Sequence, residues 1–455
     1  MIKKIFNIIV WIVLIIMLVY AFKFYNENNF NDFVRSEAKL NTSEFRRDKQ
    51  VKYSKKASYE ISQTEFNDAT FLKTINVEKN KPYRVTCMIK TENVIPEVEN
   101  KSGVGAQIAI VGTTERSIAI SGTNEWKKVE MIFNSKNREQ VDIGFRLGGY
   151  LGNCTGKAWF SDFKLEEGTL ETGNTWKFAC FIFKNTDVKL DKKEIKLSMT
   201  NEDFSDIKDT ISRFEKTCQV MSNNKMNAKC DVYEVDTPIN TLTYDNEFGY
   251  YVAPEDVEES IKDTIDKNNY DHIFVIIRLG NDEFKNDIQV NDWIGLGYMD
   301  YYGIGYSNIR LPNSSKSYIY KYDTKVNTFP EEVFLHEFLH SLERTATEYG
   351  YEIPALHDNK KYGYITQKLS GLKNWYYDYM NKEIKTSNGN IGLPNEVYNL
   401  KPAKISNFKY SYEFKEFSEP ENIVQEFKQL VKNLVRNVKQ IINGGQKTLI
   451  TNEIN

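Results

Sequence analysis

His336-Glu337-Phe338-Leu339-His340 decides how the second half of this chain is read, because it holds two of only four histidines in 455 residues. The other two are His272 and His357. On a helix, positions four apart share a face, so the imidazoles of His336 and His340 can reach one ion. Glu337 falls on the next face round, where a carboxylate can take a proton from a water at that ion. The flanks support a helix. Thr328 is an N-cap residue, Pro330 suits the first turn, and Glu331 and Glu332 favour the positive end of the helix dipole. Leu335, Phe338, Leu339 and Leu342 form an apolar stripe that buries one side and leaves the histidines beside it.

The motif and its helix resemble those of the zincin metallopeptidases, whose active-site helix carries HExxH. The resemblance is metzincin-like but lacks the full extended signature: Glu343 stands where a glycine belongs and Ala346 where a third histidine belongs. Catalytic zinc takes three protein ligands and keeps one open position, so a third ligand must come from downstream. His357, in Pro354-Ala355-Leu356-His357-Asp358, is the first choice because imidazole is a preferred ligand and histidine is scarce here. Glu343 shares the helix face of the two histidines and is read as orienting His340 or as an alternative ligand. Asp358 is the other alternative. Tyr362 and Tyr364 are candidates to stabilise an oxyanion, set against ordinary packing in a chain with 28 tyrosines.

Net charge is −3 and no basic stripe is present, which argues against nucleic acid as a partner. Lys3 and Lys4 precede an apolar run from Ile5 to Phe22. Its length suits a signal anchor or transmembrane helix over residues 1–25, placing the N-terminus in the cytoplasm and the remainder outside the cell membrane. Cleavage after the run would make the protein secreted instead. Five cysteines without a C-x-x-C spacing make neither a zinc cluster nor a disulfide scaffold, though Cys218 and Cys230 could pair.

Residues 26–56 are polar and read as a juxtamembrane stalk or lead-in. Residues 57–170 carry short alternating strands separated by turns, the pattern of an all-β sandwich or jelly roll. The segments Asn80 to Val94, Gly122-Thr-Asn-Glu-Trp126 and Gly156-Lys-Ala-Trp159-Phe-Ser-Asp162 to Gly168 resemble carbohydrate-binding jelly-roll modules. That resemblance implies a glycan-binding or spacer role and room for a structural calcium ion. Trp126 and Trp159 are read as core rather than as sugar contacts. The composition switch near Gly168 predicts that the β unit folds by itself.

Residues 171–455 alternate strands and helices in the order of an α+β zincin-like catalytic domain, ending in a helical stripe from Glu421 to Asn443. In zincins an edge strand binds extended peptide, and Tyr306, Ser307 and Asn308 are the predicted substrate edge strand. His272 opens an apolar strand and is read as structural. The sequence therefore predicts a membrane-anchored extracellular zinc endopeptidase. Its partners would be a protein or peptide, including glycoproteins and surface glycans. Two alternatives stay open: a glycan-binding adhesion protein with a vestigial zincin domain, and a zinc hydrolase of a non-peptide amide bond.

Overall fold

The computed structural model describes residues 33–99, 101–190, 192–280, 287–291, 293–301, 303–311, 329, 331–402 and 408–413. The run Ile5 to Phe22, the helix start at Thr328 and Pro330, and the stripe Glu421 to Asn443 lie outside the described residues. Among the described residues, no helix is long and apolar enough to cross a membrane. The single-pass cell-membrane localisation read from the sequence is corrected accordingly, since no described helix supports it.

The first unit is a β-sandwich. Its strands are β1 (Val34–Glu37), β2 (Ser43–Asp48), β3 (Ser58–Asn67), β4 (Ala69–Asn76), β5 (Pro82–Pro96), β6 (Gly105–Ile110), β7 (Gly122–Asn134), β8 (Gln140–Gly148) and β9 (Cys154–Gly168). They form two sheets, ordered β1-β4-β8-β6 and β2-β3-β9-β5-β7, with antiparallel neighbours throughout. Period-two alternation drives the packing: Val85, Cys87 and Ile89 are buried, while Arg84 and Lys90 remain partly exposed. Phe33, Tyr59, Phe71, Phe145 and Phe163 cluster at the centre, with Phe145 and Phe163 edge-to-face at 4.2 Å.

The sandwich departs from the sequence boundaries at both ends. The predicted stalk over 26–56 supplies β1 and β2, so the chain from Phe33 onward belongs to the sandwich. The strand Phe408–Glu413 returns from the far end of the chain and pairs antiparallel with β9, Phe408 opposite Gly168 and Glu413 opposite Lys164.

The second unit contains β10 (Thr175–Phe183), the hairpin β11–β12 (Asn185–Leu190, Lys193–Ser198), α1 (Asn201–Met221) and β13 (Asn227–Val235). There follow β14–β15 (Thr243–Asp245, Gly249–Tyr251), α2 (Pro254–Lys267), β16 (His272–Arg278), β17 (Gly295–Tyr301), β18 (Ile304–Leu311), α3 (Glu332–Glu348) and α4 (Leu369–Asn381). One sheet runs in the order β13-β10-β16-β18-β17. Its first four strands are parallel, and β17 is antiparallel at the edge. Phe178, Cys180 and Ile182 face α1, α3 and α4, while Ala179, Phe181 and Phe183 face α2 and the β11–β12 hairpin. Strands covered on both faces must be apolar throughout, which explains the unbroken run from Ile273 to Ile277.

This topology corrects the predicted substrate edge strand. Tyr306, Ser307 and Asn308 lie in β18, which is flanked by β16 and β17 and is therefore interior. Their polar atoms are used inside the core. Tyr306 Oη donates to the Val252 carbonyl at 3.2 Å, and Asn308 makes two bonds of 2.8 Å to the Val252 backbone. Ser307 Oγ lies 3.0 Å from His272 Nε2.

Helix α3 is held from both sides. At its start Glu331, 3% exposed, accepts from Thr217 Oγ1 at 3.0 Å and pairs with Arg213 at 3.3 Å, tying α3 to α1. At its end the sandwich takes over. Lys136 pairs with Glu348 and, at 3.4 Å, with the buried Glu115, which also pairs with Arg138 at 2.7 Å. Asn134 Nδ2 donates to Tyr349 Oη at 2.9 Å, and Tyr349 donates to Asn80. A second bridge joins Arg116 to Glu255 at the start of α2, at 2.5 Å. Stripping one partner from a buried ion pair costs about 3–5 kcal/mol. A chain starting at residue 172 should therefore melt below the full-length protein rather than behave as an independent domain. Equal melting temperatures in calorimetry would restore the modular reading.

His272 is fully buried beneath α3, with Ser341 Oγ 3.5 Å from its Nδ1 and the Phe338 ring edge-to-face at 5.6 Å. Burial, and secondarily the Arg344 guanidinium, lower its pKa from 6.5 to about 3. As pH falls from 6.5 towards 3, the unfolded chain gains a proton that the folded chain refuses, so stability is lost on acidification. With chelator present, the melting temperature between pH 7 and 4 should fall more steeply in the wild type than in His272→Gln. Parallel slopes would show that other groups set the acid sensitivity.

Candidate metal centre

The sequence placed His336 and His340 one turn apart, and α3 presents both beside its buried stripe of Leu335, Phe338, Leu339 and Leu342. After α3 ends, the loop 350–357 brings His357 back to the same place. The ligand atoms of the three histidines all lie within 4.8 Å of one another. His336 Nε2 is 2.9 Å from His357 Nε2 and 3.1 Å from His340 Nε2. His340 is 4% exposed and His336 partly buried, whereas His357 sits at the solvent side.

The outer nitrogens decide the tautomers. Tyr376 donates its hydroxyl proton to Glu332, so its oxygen is the acceptor facing His336 Nδ1 at 2.9 Å. His336 must then carry its proton on Nδ1, leaving the Nε2 lone pair turned inward. His340 Nδ1 donates to Glu343 Oε2 at 3.1 Å, with the same consequence. The other oxygen of Glu343 accepts from the backbone N–H of Leu356 at 3.1 Å, one residue before His357. Trp375 on α4 donates to the Leu356 carbonyl at 3.0 Å. One carboxylate thus orients a helix histidine and anchors the loop that carries the third.

Burial, reinforced by His340 and His357, holds His336 well below the ordinary imidazole range. Burial likewise lowers His357, with His340 adding to it. Neutral imidazole is the form that ligates a metal. Imidazole nitrogens are preferred zinc donors, and bonds of about 2.0–2.1 Å in a tetrahedral site would place neighbouring nitrogens about 3.3 Å apart. The two observed separations fall a few tenths of an ångström short of that value. Burial pushes the Glu337 carboxyl well above the usual carboxylate range, with Glu332 the secondary cause. Its side chain lies against Gly295 and Gly297 of β17.

The remaining predicted site residues have partners of their own. Asp358 opens a short 3-10 turn and pairs with Lys361 at 3.2 Å. Tyr362 stacks on Trp375 with an interplanar angle of 14°, and Tyr364 donates to Asp378. Among the described residues, the three histidines form the group of His, Cys, Asp and Glu side chains placed closely enough to hold a metal. All five cysteines are free thiols, including Cys218 and Cys230. The sequence reading missed Tyr376, remote from the motif, and gave Glu332 only a role at the helix start. Tyr376 carries no signal in a tyrosine-rich chain, but Glu332, four residues before His336, could have been found by helix spacing.

No protein-family model matches the sequence. No curated protein matches it either. The chain is similar to the enzymatically active domain of tailspike protein 4 of bacteriophage CBA120, at 11% identity and TM-score 0.23, over 31% of this chain and 20% of that one. A solved CBM4 domain is 14% identical with TM-score 0.23, over 31% of this chain and 92% of that one. The CBM22-1 xylan-binding domain of Paenibacillus barcinonensis is 10% identical with TM-score 0.22, over 31% and 90%. Scores this low add nothing to the strand pairing, which by itself defines the two-sheet sandwich.

Removing a group that orients a ligand typically costs 10- to 100-fold in metal affinity. Glu343→Ala, which releases both His340 and the 356–357 loop, should fall by about that factor in zinc competition with a chromophoric chelator. Tyr376→Phe should weaken binding in the same direction. Wild-type affinity in both variants would show that the histidines need neither partner.

Proposed function

We propose that this chain is a zinc-dependent hydrolase, with His336, His340 and His357 as ligands, Glu337 as general base and peptide bonds as the substrate class. The observation that carries the reading is the convergence of Nε2 of His336 and His340, on the helix that also bears Glu337, with Nε2 of His357 from the following loop. When bound, zinc supplies Lewis-acid activation of water and of a carbonyl. Glu337 takes the proton from the attacking water and returns it to the departing nitrogen. Burial holds the Glu337 carboxyl above the usual carboxylate range, with Glu332 the secondary cause. The outer edge of β17, beside Glu337, offers backbone groups to an extended substrate chain.

A second reading is favoured by a different observation. Tyr53 is 52% exposed and lies 5.9 Å from the partly exposed ring of Trp126, giving the sandwich an aromatic surface suited to stacking on a sugar. In that reading the protein is a glycan-binding protein and the histidine site is vestigial.

Peptide-library hydrolysis with and without chelator, run beside Glu337→Gln and a glycan array, separates the two. The hydrolase reading predicts chelator-sensitive cleavage that falls about 10²- to 10⁴-fold in Glu337→Gln with zinc content unchanged. Undiminished turnover in that variant would remove Glu337 as the base. Absence of cleavage, with glycan retention lost in Tyr53→Ala, would favour the second reading.

A further inference from the structure

We infer that Gly295 and Gly297 of β17 are positioning residues: together they leave a slot in the edge strand that receives the side chain of Glu337 and fixes where its carboxylate lies. The inference rests on Glu337 being the base proposed above.

Neither glycine is required by its own backbone. Positive φ angles occur at Gly303 (84°) and at other glycines, but not at Gly295 or Gly297. Space is what excludes a side chain. A Cβ built on Gly295 would lie 2.5 Å from Glu337 Cδ, and its two nearer neighbours also belong to the Glu337 side chain. A Cβ on Gly297 would lie 2.7 Å from Glu337 Oε2, 2.7 Å from the Glu337 carbonyl oxygen and 3.1 Å from its Cα. Leu296 between them packs into the opposite core, on the α2 side, so strand alternation turns both glycines towards α3. A glycine within a strand commonly marks the close approach of another group, and here that group is one residue.

The two positions do different work. The three atoms nearest a Cβ on Gly295 all belong to the Glu337 side chain, so alanine there would displace the carboxylate and leave the helix in place. Gly297 also faces the helix backbone, so alanine there would push α3 itself and carry His336 and His340 with it. Gly295→Ala should therefore keep its zinc affinity while kcat falls at least 10-fold at little-changed KM. Gly297→Ala should lose both turnover and zinc affinity.

The decisive measurement is a double-mutant cycle on the full chain, read by thermal unfolding in chelator so that neither metal nor activity enters. Gly295→Ala should lower the unfolding midpoint by at least about 2 °C in the wild-type background and not in Glu337→Ala, where the colliding atoms are gone. An equal loss in both backgrounds would overturn the slot, as would a Gly295→Ala enzyme with full kcat. If the wild-type chain hydrolyses no peptide, the proposed function fails, and the cycle still decides the slot.

Discussion

A single carboxylate ties the histidine site together. Glu343 accepts from His340 with one oxygen and from the Leu356 backbone with the other, at 3.1 Å each. The first contact sets which nitrogen of His340 faces inward, and the second brings the His357 loop to the helix. Trp375, which donates to the Leu356 carbonyl, and the Tyr351 N–H, which donates to the Ala346 carbonyl of α3, also hold the loop. The Glu332–Tyr376–His336 chain does the same for the other helix histidine. The lone pairs of His336 and His340 are thus aimed inward by hydrogen bonds on their outer nitrogens.

The helix that carries this arrangement is itself constrained at both ends. Glu331 docks its start onto α1, while Lys136, Asn134 and Asn80 of the sandwich hold Glu348 and Tyr349 at its end. The all-β unit is therefore part of the framework of the site rather than a tethered appendage. The strand Phe408–Glu413, which crosses back to β9, adds a covalent return path between the two units.

Local periodicity made much of this legible in the sequence. HEFLH with its apolar stripe, the doubly buried strands around Phe181 and Val275, and the alternating strands of the sandwich all carry their pattern within a few residues. What was illegible depends on partners distant in sequence. Tyr306, Ser307 and Asn308 have the polarity of an exposed edge, yet each is satisfied by Val252 or His272 inside the sheet. Gly295-Leu296-Gly297 has the composition of a loop, yet it is the edge strand, its glycines opened by contact with Glu337. The Arg46 to Asp48 stretch reads as a charged stalk, but in β2 Arg46 pairs with Glu60 of β3 and Asp48 accepts from the Trp159 indole of β9.

The most direct test of the proposed centre is X-ray absorption at the zinc edge of the full-length protein loaded with one equivalent of zinc. Three nitrogen scatterers at about 2.0–2.1 Å with imidazole outer-shell features are expected, dropping to two in His357→Ala. A protein that retains no zinc, or whose three-nitrogen signal is unchanged in His357→Ala, would contradict the proposed centre.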